Sequence, residues 1–208
     1  MQIPTPNDKQ FELPPAGTHL ATAYRVIDLG TQTTRFNGDE KQTHQIMVTW
    51  ELPEETMEDG RPFSVTRRYT WSMSEKASLR HDLESWRGVP FTEKDFGEGG
   101  FNIKNILGKS CLINIVRTDK DGKSYANVKS ISKLMKGQKG PEQTSNEQVY
   151  LWINPKLWDA QAFNKLSDYM KGTIMKSPEY AAMFNGHDED GIEYRDDLQD
   201  DPNDIIPF

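Results

Sequence analysis

Apolar and polar residues alternate most cleanly from Phe63 to Met73 (FSVTRRYTWSM). Phe63, Val65, Tyr69, Trp71 and Met73 fall on one side and Ser64, Thr66, Arg68, Thr70 and Ser72 on the other, the period of a strand buried on one face. His44 to Leu52 (HQIMVTWEL) repeats the pattern, with Ile46, Val48 and Trp50 against Gln45, Thr49 and Glu51. Upstream, Thr18 to Leu29 (THLATAYRVIDL) alternates imperfectly, as a long strand does when it bends or bulges. The polar stretch 30–42 (GTQTTRFNGDEKQ) reads as a loop containing Asn37-Gly38, and it carries Arg35, Phe36 and Lys41. Asp59-Gly60 closes the next loop. Further on, Ser110 to Arg117 and Lys123 to Ile131 flank Asp119-Lys120-Asp121-Gly122, an Asp-Gly hairpin turn.

The period changes after Ser72. Ser72 with Glu75 three residues on predicts a capping box, and Leu79, Leu83 and Trp86 give a helix one apolar stripe until Gly88 stops it. A second short helix is expected to end at Gly108. The order is three strands, a helix and two strands. That is the order of the oligonucleotide-binding (OB) fold, a five-stranded barrel whose second and third strands and flanking loops form the ligand face. An SH3-like barrel shares the strand count but does not normally place a long amphipathic helix there. The expected fold is therefore mainly β, with an OB-fold barrel over residues 17–135. An extended arm, 1–16, precedes it, because Pro4, Pro6, Pro14 and Pro15 disfavour helix. A polar linker, 136–148, leads to a helical appendage, 149–186. There Asn154-Pro155 signals a helix start, Trp158, Phe163, Leu166, Met170 and Ile174 line one buried face, and Ser177-Pro178-Glu179 opens another helix ended by Asn185-Gly186.

Charge changes the picture at the end of the chain. Of a net −7 over 208 residues, the segment 187–208 holds nine carboxylate side chains and one basic residue, a net of −8. Residues 1–186, with 24 basic and 23 acidic side chains, sum to +1. So self-repelling and apolar-poor a tail is expected to be disordered. Its last residues, Asp204, Ile205, Ile206, Pro207 and Phe208, put an aromatic ring beside the terminal carboxylate, which suits a pocket bearing a cation. The tail reads as a docking peptide. No apolar run approaches the roughly 20 residues of a membrane span, and the N-terminus lacks the pattern of a signal peptide. The single cysteine, Cys111, is expected in the core of a protein from a reducing compartment.

The ending resembles the C-terminal tip of bacterial single-stranded DNA-binding proteins, an acidic linker closing in Asp-Ile-Pro-Phe, from which it differs by one inserted isoleucine. Phage single-stranded DNA-binding proteins of other families also carry acidic, aromatic-tipped tails. The body is similar to phage-encoded single-stranded DNA-binding or replication-associated proteins in Asp28-Leu29-Gly30-Thr31-Gln32, Tyr69-Thr70, Leu83-Glu84-Ser85-Trp86-Arg87-Gly88, Phe91-Thr92 and Leu107-Gly108, a likeness spanning residues 17–135. The resemblance implies sequence-independent binding of single strands and protection of replication or recombination intermediates. It also implies recruitment of replication or recombination proteins through the tail, in the cytoplasm of a bacterial host if the chain is phage-encoded. Residues 141–186 carry no resemblance.

Single-strand binding needs cations tracking the phosphates and aromatic faces on which bases stack. Arg67-Arg68-Tyr69-Thr70-Trp71 interleaves both, but strand alternation divides them. If the apolar parity points inward, Tyr69 and Trp71 are core and Arg68 faces the ligand; a bulge exchanges the roles. Phe36, on a loop, is the better stacking candidate and Tyr125 a weaker one. Arg25, Arg35, Lys41, Arg61 and Lys123 are candidate phosphate contacts. The near-zero charge of the body counts against tight nucleic-acid binding, although local clustering can still build a positive groove. An enzyme is not expected. His19, His44, His81, His187 and Cys111 show no metal-ligand spacing, and no phosphate-cradling glycine loop or nucleophile elbow occurs. Asp119 to Gly122 fails as a calcium loop because its twelfth position is Ser130, and Asp188-Glu189-Asp190-Gly191 fails similarly. No metal or cofactor is expected. Two other readings stand beside single-strand binding: a protein-interaction adaptor and a strand-annealing recombination protein.

Overall fold

The computed structural model describes residues 12–36, 39–97, 99–120 and 122–184. Residues 1–11, Asn37-Gly38, Asn185-Gly186 and the whole acidic tail with its tip, Asp204, Ile205, Ile206, Pro207 and Phe208, lie outside the described residues. Among those described the chain is mainly β. Its strands are β1 (Gly17–Phe36), β2 (Asp39–Thr56), β3 (Pro62–Thr70), β4 (Ser110–Lys120), β5 (Lys123–Ser132) and β6 (Val149–Leu151), and its helices are α1 (Ser78–Arg87), α2 (Ala160–Asn164), α3 (Asp168–Met175) and α4 (Pro178–Phe184). The sheet order is β3-β2-β1-β4-β5 with every neighbour antiparallel. β4 pairs with residues 17–22 of β1, and β6 then runs parallel to Arg25, Val26 and Ile27 on the same edge. The end strands β3 and β5 touch each other, and α1 contacts both.

β1 and β2 are buried on both faces. One face joins Ala21, Ala23, Val26, Ile46, Val48, Trp50 and Leu52 to Leu79, Leu83 and Trp86 of α1. The other sets Ile27, Leu29 and Met47 against Leu151, Leu166, Met170 and Ile174 from the C-terminal segment. A strand covered on both sides has no polar face, which is why β1 alternates poorly. Two register shifts, at Ala23/Arg25 and Asp28/Gly30, disturb it further. Residues 30–42, expected as a loop, form a ladder instead: 31–36 pair with 39–44. β-branched threonines favour extended backbone. The ladder runs past both cores, so Thr33, Thr34 and Lys41 stay exposed and no apolar signal marks it.

The capping box at Ser72 and Glu75 does not form. Trp71 still donates its backbone N–H to His44 O at 2.7 Å, so the chain leaving β3 is tied to the sheet and must turn before a helix can start. Helix α1 begins at Ser78, with Ala77 as an N-cap lacking a side-chain bond. Its stripe and its stop agree with expectation: Leu79, Leu83 and Trp86 are buried, and Gly88 adopts φ 72°, a left-handed conformation. In place of one short helix before Gly108 stand two 3₁₀ turns, Glu93–Asp95 and Ile103–Ile106. Asn154-Pro155 makes a turn, and α2 starts later, capped by Asp159, which accepts from the N–H groups of Gln161 and Ala162. Cys111 is fully buried. No helix among the described residues is long and apolar enough to cross a membrane.

Candidate nucleic-acid interface

The face of β1–β2 opposite α1 is bolted under residues 145–184. Glu51, fully buried, accepts from Ser145 N (2.9 Å), Asn146 N (3.0 Å) and Asn146 Nδ2 (2.8 Å). Arg25 Nε donates to Thr49 Oγ1 at 3.3 Å, and Arg68 Nη2 donates to the Tyr169 hydroxyl at 3.0 Å. Near the end of the contact, Thr31 donates its N–H (2.8 Å) and its hydroxyl (2.6 Å) to the Glu179 carboxylate. Gly30, at φ 68°, lies so close to Ser177 that a Cβ would come within 2.4 Å of its Cβ. The nearby Asp28 carboxylate is buried and accepts from Gly30 N (2.9 Å) and Ile153 N (3.2 Å), with His44 Nε2 at 2.6 Å. That hydrogen bond raises the His44 pKa, and Glu179 lies 3.5 Å from the other ring nitrogen.

This cover redistributes the residues singled out from the sequence. Arg25 is buried, and burial pulls its pKa down. Arg68 is engaged by Tyr169. Arg67 pairs with Asp82 at 2.8 Å and lies 5.1 Å over the Tyr69 ring. Tyr69 and Tyr125 are buried, so neither ring offers a stacking face; the Tyr69 hydroxyl donates to Asp82 at 2.8 Å, and burial pushes its phenol well up. The inward parity that encloses Tyr69 does not extend to Trp71, which lies beyond the last β3 pair and is 37% exposed. Arg35 is held by Glu40 (2.7 Å from Nε) and Arg61 by Asp59 (2.6 Å from Nη2). Lys41 and Lys123 are exposed. The side chain of Phe36 lies outside the described residues. Of the ten whose side chains are described, Arg25, Tyr69 and Tyr125 are buried, Arg35, Arg61, Arg67 and Arg68 are engaged by neighbouring side chains, and Lys41, Trp71 and Lys123 are exposed.

Positive charge concentrates instead along one stretch of the chain. Residues 104–140 contain nine basic and two acidic residues, a net of +7. Lys104 and Lys109 precede β4, Arg117 and Lys120 lie on it, Lys123 and Lys129 lie on β5, and Lys133, Lys136 and Lys139 follow. All nine are exposed. Among the described residues none is in an ion pair. Arg117 donates to the carbonyls of Leu13 and Pro14 (2.9 and 3.1 Å) and so keeps its charge uncompensated. No protein-family model and no curated protein matches this chain.

Aromatic side chains adjoin Lys104. Trp152 meets Trp71 edge-on at 5.0 Å and stacks on Tyr150 at 5.8 Å, and Lys104 Nζ sits 5.4 Å from the Tyr150 ring. Trp71 lines a cleft of about 180 Å³ with Met73, Phe96 and Phe101. Beside it, sharing Leu83 and Phe101, a cleft of about 350 Å³ is walled by Trp86 and Ile106 and edged by Arg87, Lys109 and Lys133. Arg87 pairs with Asp95 at 2.7 Å; bonds from Thr92 and this guanidinium hold the Asp95 carboxyl at about 2. Sequence reasoning did not single out Lys104, Lys109, Arg117, Lys120, Lys129, Lys133, Lys136, Lys139, Phe101 or Trp152. Summing charge in windows rather than over the whole body would have found the lysines.

Proposed function

We propose that this chain binds single-stranded DNA without sequence preference, through an OB-fold barrel built from β1–β5 and α1. The nine exposed cations between Lys104 and Lys139, in no ion pair among the described residues, carry the reading. Such cations release counterions when they meet phosphates, the main source of non-specific nucleic-acid affinity. The strand order β3-β2-β1-β4-β5, with α1 between β3 and β4, supports the barrel assignment. In that fold the ligand lies on strands 2–3 and on the loops joining strands 1–2 and 4–5. Here the C-terminal segment covers much of the strand face. The exposed lysines at the ends of the two hairpins, Lys41, Lys120 and Lys123, point to a strand path displaced toward β4–β5. Bases stack on Trp71 and neighbouring rings. The protein protects replication or recombination intermediates, in a bacterial host if the chain is phage-encoded, has no catalytic role, and recruits partner enzymes through Asp204, Ile205, Ile206, Pro207 and Phe208.

Fluorescence anisotropy with labelled oligo-dT and a matching duplex, titrated with the full chain from 50 to 500 mM salt, tests this. Affinity for the single strand that falls steeply with salt, with much weaker duplex binding, is expected. Salt-insensitive association or none would move the reading to a protein-interaction adaptor.

A further inference from the structure

We infer that the cleft between α1 and residues 101–110 is a base-binding site, in which one unstacked nucleobase of the bound strand is held while its flanking phosphates meet Lys109 and Lys133. This rests on the single-strand reading above and assigns it a specific seat. The cleft measures about 350 Å³, near the lower end of the roughly 300–1,000 Å³ typical of ligand sites, so it suits a single ring system. Its accessible aromatic wall is Phe101, half-buried, over a floor of the buried Trp86 and Ile106, and its edge carries the Asn105 amide and two exposed lysines. Trp86 cannot swing out of the wall: its indole N–H donates to Ser110 O at 2.9 Å. Lys133 and Lys109 are exposed, in no ion pair among the described residues, and belong to the +7 segment. Aromatic wall and cationic rim together match the alternation of base and phosphate along a single strand. The chain's own apolar tip, Ile205 to Phe208, is the competing occupant. Its terminal carboxylate would meet the same two lysines, so the measurements below are chosen to tell the two occupants apart.

Two measurements on the full chain test the inference. Oligo-dT carrying 5-iododeoxyuridine is crosslinked by near-ultraviolet light and the modified residues are mapped by mass spectrometry. Adducts at Trp86 or Phe101 support the seat; adducts confined to Trp71, Trp152 or Phe96 overturn it while leaving single-strand binding intact. The cleft is then filled by Asn105→Trp at an exposed position, with Phe101→Ala as a second variant. Loss of one stacked base weakens binding about 5- to 150-fold. The slope of affinity against salt stays that of the parent, because no phosphate contact is removed. Unchanged affinity in the filled variant overturns the inference. So does tighter binding at low salt, the sign expected if the cleft holds the chain's own tip. If the parent binds no oligo-dT at all, the single-strand reading falls first and this inference with it.

Discussion

Replacing Lys120, Lys123 and Lys129 together by alanine should change the salt dependence of single-strand binding more than any other property. All three are exposed and in no ion pair among the described residues, so folding stability should move by no more than about 0.5 kcal/mol for each surface change. Each phosphate neutralised on a single strand contributes about 0.7 to the slope of log affinity against log salt. Three lost contacts therefore flatten the slope by about 2. Parent and variant should converge near 1 M salt and differ about 100-fold in affinity a decade lower, near 0.1 M. Anisotropy titrations of oligo-dT at five or six salt concentrations give both slopes, and a thermal melt confirms that the variant folds. Parallel lines, even if displaced, would refute the reasoning, because the β4–β5 lysines would then make no phosphate contact.

Met170, 1% exposed in the core beneath α3, should cost about 2–5 kcal/mol when cut to alanine, read as a lowered thermal midpoint; a loss near zero would mean that α3 is not part of the cooperative unit. His44 faces Asp28 and Glu179, and its folded pKa is raised above 6.5. Its contribution to stability is therefore full below pH 6.5 and is lost as pH climbs through the higher folded value. Denaturant unfolding of the parent should weaken over that alkaline limb, and His44→Gln should flatten the decline; equal pH dependence in both would reject the assignment. Removing residues 187–208 deletes a net −8 and should tighten single-strand binding at low salt, with the gain fading as salt screens it. Equal affinities with and without the tail would show that the tail does not compete.

Much of the fold was legible because burial on one face writes its period into the sequence. β3 could be read from Phe63, Val65 and Tyr69, and the stripe of α1 from Leu79, Leu83 and Trp86, each against polar neighbours. β1 was blurred by the second core, since Ile27 and Leu29 are as apolar as Val26 but point the other way. β6 was not legible: three residues carry no period, and their strand state comes from pairing with Arg25 to Ile27. The failed capping box shows tertiary tethering overriding a local motif, through the Trp71–His44 bond. The candidate site was harder to read for two reasons. Strand alternation could not say whether Trp71 followed Tyr69 inward, because that depends on where β3 stops pairing. Charge summed over residues 1–186 gave +1 and concealed a +7 segment balanced by −6 elsewhere.

The location of the ligand is the claim on which the rest depends. Hydrogen exchange of the full chain, with and without saturating oligo-dT, tests it most directly. Protection should appear across residues 104–140, on β4, β5 and the flanking turns, while α3, α4 and the β1–β6 pairing exchange as in the free protein. Protection of β2 and β3 accompanied by faster exchange in α3 and α4 would mean that the strand displaces the C-terminal segment, and no change anywhere would mean that it does not bind; either result contradicts the account.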